Sequence, residues 1–193
     1  MFSLLRFSAR ASLRTFVPPA ARYFPPVTVV RRHRTQLAPR KVKFPRQHKG
    51  SVPVRTGGST KGTTLALGEW GIRVISDGVR LSAKHLHVAA ETVRKKIKAI
   101  KGAKVLIRVF PHVPVCVKGN ETRMGKGKGS FEFWACRVPT GKVILEIGGA
   151  PVREELAREA LRQAGAKLPC RVEFIHRGSP ARLGNLTSAQ PSA

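Results

Sequence analysis

The sequence predicts an α+β fold: a compact, mainly antiparallel sheet with two helices, preceded by a basic arm and followed by a disordered tail. Three observations carry that reading. Two segments repeat apolar residues at helical spacing, and several short runs rich in β-branched residues lie between turn signals. Their order is strand–helix–strand–hairpin–helix–strand, with one local hairpin in place of the repeated crossover units of a doubly wound sheet. The expected organisation is an addressing segment at 1–24, a basic arm at 25–64, a domain at 65–177 and a flexible tail at 178–193.

Residues 1–16 place Arg6, Arg10 and Arg14 on one helical face and Phe2, Leu5, Ala9, Leu13 and Phe16 on another. An Arg-rich, Ser-containing stretch free of acid has the pattern of a mitochondrial transit peptide, the alternative being a basic amphipathic helix that is retained. Pro18-Pro19 and Pro25-Pro26 then break any helix. The arm interleaves cations with Phe44 and histidines from Arg31 to Lys49, and ends in the flexible stretch 57–64.

The run 65–75 predicts one or two short strands interrupted by glycines. A helix starts near Ser82, a good N-cap, with Leu86, Ala89, Ala90, Val93, Ile97 and Ile100 as its apolar stripe and Gly102 as its stop. Glu91 and Lys95 are spaced for an i,i+4 pair. Lys104–Phe110 reads as a strand ended by Pro111, and 131–138 with 143–147 as a hairpin around Pro139-Thr140-Gly141-Lys142. A second helix begins at Pro151, with Glu154 and Glu155 at its positive end and Val152, Leu156, Ala160, Leu161 and Ala164 on its buried face. Cys170–Ile175 is a last strand.

The net charge is +27 over 193 residues, and residues 1–68 hold 14 Lys/Arg and no acid. Such a balance points to nucleic acid or an anionic surface. No apolar run approaches the roughly 18 residues of a membrane span. Three cysteines without C-x-x-C spacing argue against a disulfide framework and fit a reducing compartment. His85-x-His87 lacks companions at metal-ligand spacing, no catalytic dyad or triad stands out, and no cofactor is expected.

The most informative segment is Thr122-Arg123-Met124-Gly125-Lys126-Gly127-Lys128-Gly129-Ser130. Glycines permit close backbone approach, and the lysines between them put positive charge on the same narrow loop, which suits a polyanion. A P-loop is excluded, because five residues instead of four separate Gly119 from Gly125-Lys126 and Gly127 occupies the Ser/Thr place. Ser130 likewise falls where a dinucleotide motif needs its third glycine. On the other face and the end of the first helix, Lys84, Arg94, Lys95, Lys96, Lys98 and Lys101 accompany a single acid. A charged face is usually only solvated, and the cationic excess here favours phosphate contact.

Taken in order, seven pieces resemble the universal L-sixteen family of large-subunit ribosomal proteins. They are Lys43-Phe44 with His48-Lys49-Gly50, Arg80 to Ala83, Ile107 to Pro111, Arg123 to Gly129, Gly141-Lys142-Val143, Glu154 to Ala160 and Ala166 to Pro169. The resemblance covers about Lys41 to Arg177 and implies an α+β protein packed on large-subunit rRNA beside the aminoacyl-tRNA site. Aminoacyl-site tRNA and neighbouring large-subunit proteins would be its other partners, with no homo-oligomer, in the mitochondrial matrix. By motif, Arg123, Met124, Gly125, Lys126, Gly127, Lys128 and Gly129 would face the peptidyl-transferase region. Lys41, Lys43, Arg46, His48 and Lys49 would contact rRNA from the arm, joined by Arg55, Lys61, Arg80, Lys84 and the helix cations. Bacterial members begin near the Lys-Phe motif, so residues 1–40 read as an extension consistent with an organellar precursor. His85 and His87 depart from the family pattern and weaken specific contacts from that turn. The alternatives are a mitochondrial RNA-processing enzyme and a nucleoid nucleic-acid-binding protein.

Overall fold

The computed structural model describes residues 37–183 and the backbone of 186–187. All lie in the unit 34–193; the unit 1–33 is outside the described residues, and with it the transit-peptide segment and the Arg31–Arg34 cluster. The elements are β1 (Trp70–Val74), β2 (Val79–Ser82), α1 (Ala83–Ile97), β3 (Lys104–Ile107), β4 (Val113–Val117), β5 (Ser130–Val138), β6 (Val143–Gly148), α2 (Glu154–Gly165) and β7 (Val172–His176). The two-residue strands β8 (Arg182–Leu183) and β9 (Leu186–Thr187) pair with each other. The larger strands form two sheets, β3-β6-β1-β7 and β2-β5-β4, with every pair antiparallel.

The α+β reading holds, with two helices on antiparallel sheets. The hairpin does not: β5 and β6 belong to different sheets. The Gly141 N–H donates to Val74 O at 2.8 Å, and the Val74 N–H donates to Lys142 O at 3.0 Å. Docked in this way on the end of β1, the turn at Pro139–Lys142 carries the chain across to the other sheet, and β6 is paired on both sides by β1 and β3. Gly141 has φ +77°, so the turn keeps its glycine signal although the strands it joins do not pair.

Helix α1 begins as expected, the Ser82 Oγ accepting from the His85 N–H at 3.2 Å. Leu86, Ala89, Ala90, Val93 and Ile97 are buried, and they meet Ala157, Ala160, Leu161 and Ala164 of α2 in the core. The helix ends at Ile97, and Gly102 (φ +87°) serves the turn beyond it. Glu91 lies 3.8 Å from His87, one turn back, in place of the expected pairing with Lys95. Pro151 precedes α2 without starting it: Arg153 is the N-cap, and Glu154 and Glu155 occupy the first turn.

Besides the short pair β8–β9, which falls in the stretch expected to be a flexible tail, two strands lie outside the expectations. β2 pairs with β5 just ahead of the α1 cap. β4 contains Pro114 and is an edge strand, where a missing N–H is tolerated. The packed chain also runs past 177. Arg73, 1% exposed, donates to Glu173 at 2.8 Å and to Pro180 O at 2.8 Å, and Arg182, 8% exposed, reaches Glu173 at 3.2 Å. Residues 178–183 therefore close over the base of the arm, where the Thr63 Oγ1 accepts from the Arg182 N–H.

On the side of β6 that bears Glu146, the carboxylate is fully buried. It accepts N–H groups of Ala66 (3.3 Å), Leu67 (2.8 Å) and Gly68 (2.9 Å) and pairs with Arg108. A Cβ on Gly68 would stand 2.4 Å from Ile147 O, so this glycine is there for close approach, and the arm is anchored where it joins the domain.

Candidate nucleic-acid interface

The Gly-Lys loop spans 118–129, between β4 and β5, at the far end of the smaller sheet. Gly125 (φ +90°), Lys126 (φ +54°) and Gly127 (φ +77°) are three successive left-handed residues. For lysine that conformation costs on the order of 1–2 kcal/mol. Nothing lies within 4 Å of a Cβ built on Gly125 or Gly127, so the tip stands in open space. Met124 is 100% exposed, and Arg123, Lys126 and Lys128 are exposed beside it. The base is close-packed by contrast: a Cβ on Gly129 would stand 2.2 Å from Val117 O. Lys118 Nζ donates to Gly125 O and braces the loop from inside.

Arm residues Lys41, Lys43, Arg46, His48 and Lys49 are exposed, and Lys43 Nζ lies 5.4 Å from the Phe44 ring centroid. The backbone behind them is held by cations of the domain. Arg80 donates to Lys49 O (3.0 Å) and Gly50 O, Arg137 donates to Lys49 O (2.9 Å), and Lys128 Nζ donates to Gln47 O. Arg80 and Lys128, expected at RNA, thus also clamp the arm, and Lys128 ties it to the loop. Arg137 and Lys118 had no distinguishing motif in the sequence. Their roles depend on partners brought together by folding.

At the arm base, Arg55 donates to Ser59 O at 3.2 Å and Lys61 is exposed. Burial, then the charges of Arg55, Arg108 and Lys61, push the Lys142 ammonium below its ordinary pKa. Cations crowded in this way favour an arriving phosphate. Along α1 and the turn that follows it, Lys84, Arg94, Lys95, Lys98 and Lys101 are all exposed. Arg94, Lys95 and Lys98 line a groove of about 450 Å³ floored by Ile97 and Ile100, while Lys84 stands one end of the helix away, beside β5. The cations expected from sequence therefore fall into a loop-and-arm group, an arm-base group and a separate helix group.

Residues 39–175 match the model of the family described as ribosomal protein L16p/L10e. The chain belongs to that family. It is 48% identical over 160 residues to large ribosomal subunit protein uL16m of Schizosaccharomyces pombe, a match covering 83% of this chain and 74% of that protein. Against uL16m of Neurospora crassa it is 45% identical over 136 residues, 70% of this chain and 54% of the relative. Bacterial uL16 from Chelativorans sp. is 44% identical over 141 residues, 73% of this chain and 97% of the relative. The L16p/L10e match takes in the clamped part of the arm, the Gly-Lys loop and both helices, and stops before the buried Arg182.

Proposed function

We propose that this chain is a structural constituent of the mitochondrial large ribosomal subunit, binding large-subunit rRNA next to the aminoacyl-tRNA site and the peptidyl-transferase region. It is a structural component of the ribosomal family to which it belongs and not an enzyme. The mitochondrial setting is supported by the uL16m relatives and by the acid-free, Arg-periodic start of the chain.

One observation carries the loop's part in this. A lysine occupies a left-handed position between two glycines, where a third glycine would be free of strain. Keeping the ammonium at that cost, at an open tip, favours a charged ligand for the loop. The clamped arm supplies a second cationic surface on the same sheet. Phosphate contact fixes position without reading sequence, so specificity comes from RNA shape and unpaired elements. No observation favours the RNA-processing or nucleoid readings.

The test replaces Met124 with a photo-crosslinking residue in organello and sequences the attached RNA. Large-subunit rRNA around the peptidyl-transferase region, together with tRNA acceptor ends, is expected. Crosslinks spread over messenger RNA or DNA would overturn the assignment.

A further inference from the structure

We propose that the groove between the arm and the aromatic half of β5 is a stacking site for an unpaired RNA nucleotide. This rests on the RNA-binding reading above and adds to it a ligand and a place. The groove, about 630 Å³, lies within the roughly 300–1,000 Å³ range of small-ligand clefts. Val42 of the arm, Lys84 and His87 of α1, and Phe131, Phe133 and Trp134 of β5 line it. Phe131 and Phe133 are 38% and 39% exposed, large apolar surfaces that the domain leaves uncovered. The Phe131 ring is tilted by 51° against Trp134 at 4.9 Å, so the floor is a joined aromatic surface.

The chemistry around that floor selects the occupant. Lys84 stands on one wall, and Lys41 and Lys43, chain neighbours of the lining Val42, are exposed near the rim without lining the groove. Glu132 is the one acid among the lining residues and can accept from a base's exocyclic amine. Aromatic faces bordered by cations match a base with its phosphates, and the match needs no particular base because each has a π face. A paired base in a helix keeps its faces stacked, so the ligand is a single-stranded or bulged nucleotide. A basic protein segment would be repelled by Lys84 and by the lysines near the rim.

Trp134 is a built-in reporter. The full chain with Trp70→Phe retains it as the remaining one of two tryptophans. The probes are a short oligoadenylate, an abasic ribose-phosphate strand of equal length and an RNA duplex. Oligoadenylate should quench Trp134 emission and bind about tenfold more tightly than the abasic strand. Replacing Phe131 and Phe133 together by Leu keeps the apolar volume and removes the π faces. That variant should melt like its parent and bind oligoadenylate about tenfold more weakly. Equal affinity for the abasic strand, equal quenching by the duplex, or unchanged binding by the leucine pair would overturn the proposal. Unchanged Trp134 emission on oligoadenylate binding would also overturn it and leave the groove to a protein partner. Ribosome association is read separately: a chain that still assembles but shows no quenching fails the groove alone, whereas loss of assembly fails the function beneath it.

Discussion

Replacing Glu146 with Ala tests the anchor that joins arm to domain. Four donors converge on this carboxylate: three backbone N–H groups from 66–68 and the Arg108 guanidinium. Counting each as a charged hydrogen bond would give on the order of 6–12 kcal/mol, which overshoots because such contributions are not additive. Removing one partner of a buried ion pair costs about 3–5 kcal/mol. The Arg108 side chain is 21% exposed and can regain water, so the lower end applies, about 3 kcal/mol. With a urea slope of roughly 1–3 kcal/mol/M, the unfolding midpoint should fall by about 1–3 M. Glu146→Gln, which keeps one acceptor oxygen, should cost less. In the Glu146→Ala/Arg108→Ala double variant the losses should be less than additive, since removing both partners leaves no stranded charge. A Glu146→Ala midpoint within error of the parent would refute the anchor, as would strict additivity with Arg108→Ala.

Three other outcomes follow from particular contacts. Gly129→Ala pushes a Cβ to 2.2 Å from Val117 O and should cost about 1–3 kcal/mol while opening the loop base, read as a lower thermal midpoint and faster proteolysis between 118 and 129. The hydrogen bond from Arg73, then the nearby Arg charges, hold the Glu173 carboxyl below its ordinary 4.5 despite partial burial. Its stabilisation is thus present above pH 4.5 and lost as pH falls through the lower folded value, and Glu173→Gln should flatten that part of the acid-unfolding curve. Burial pushes the Cys136 thiol up to about 11, so at neutral pH maleimide should modify the half-buried Cys116 first and reach Cys136 only on unfolding, as peptide mass spectrometry would report.

The helices were legible because their signals are local. Ser82 caps three residues ahead, and the α1 stripe repeats within one turn. Strand pairing was less so. Pro139-Thr140-Gly141-Lys142 carries the same turn chemistry whether its flanking strands pair or part, and β1, some seventy residues earlier in the chain, decided which. β4 was hidden by a proline that is harmless at a sheet edge. The Gly-Lys loop stood out in sequence, but its strain at Lys126 and its tie through Lys128 to Gln47 did not. Nor could composition separate cations that face solvent from those that clamp the arm, because Arg80 and Arg137 reach the Lys49 carbonyl across 31 and 88 residues. Arg73 read as an ordinary strand residue, and its burial depends on Glu173 and Pro180, far along the chain.

RNA is what holds this chain in the mitochondrial large ribosomal subunit on the reading proposed above. Sedimentation of a mitochondrial lysate in high salt, with and without ribonuclease and blotted for the chain, is the decisive measurement. Co-migration with the large subunit, lost on ribonuclease treatment, is the predicted result. A slow peak indifferent to ribonuclease would contradict it.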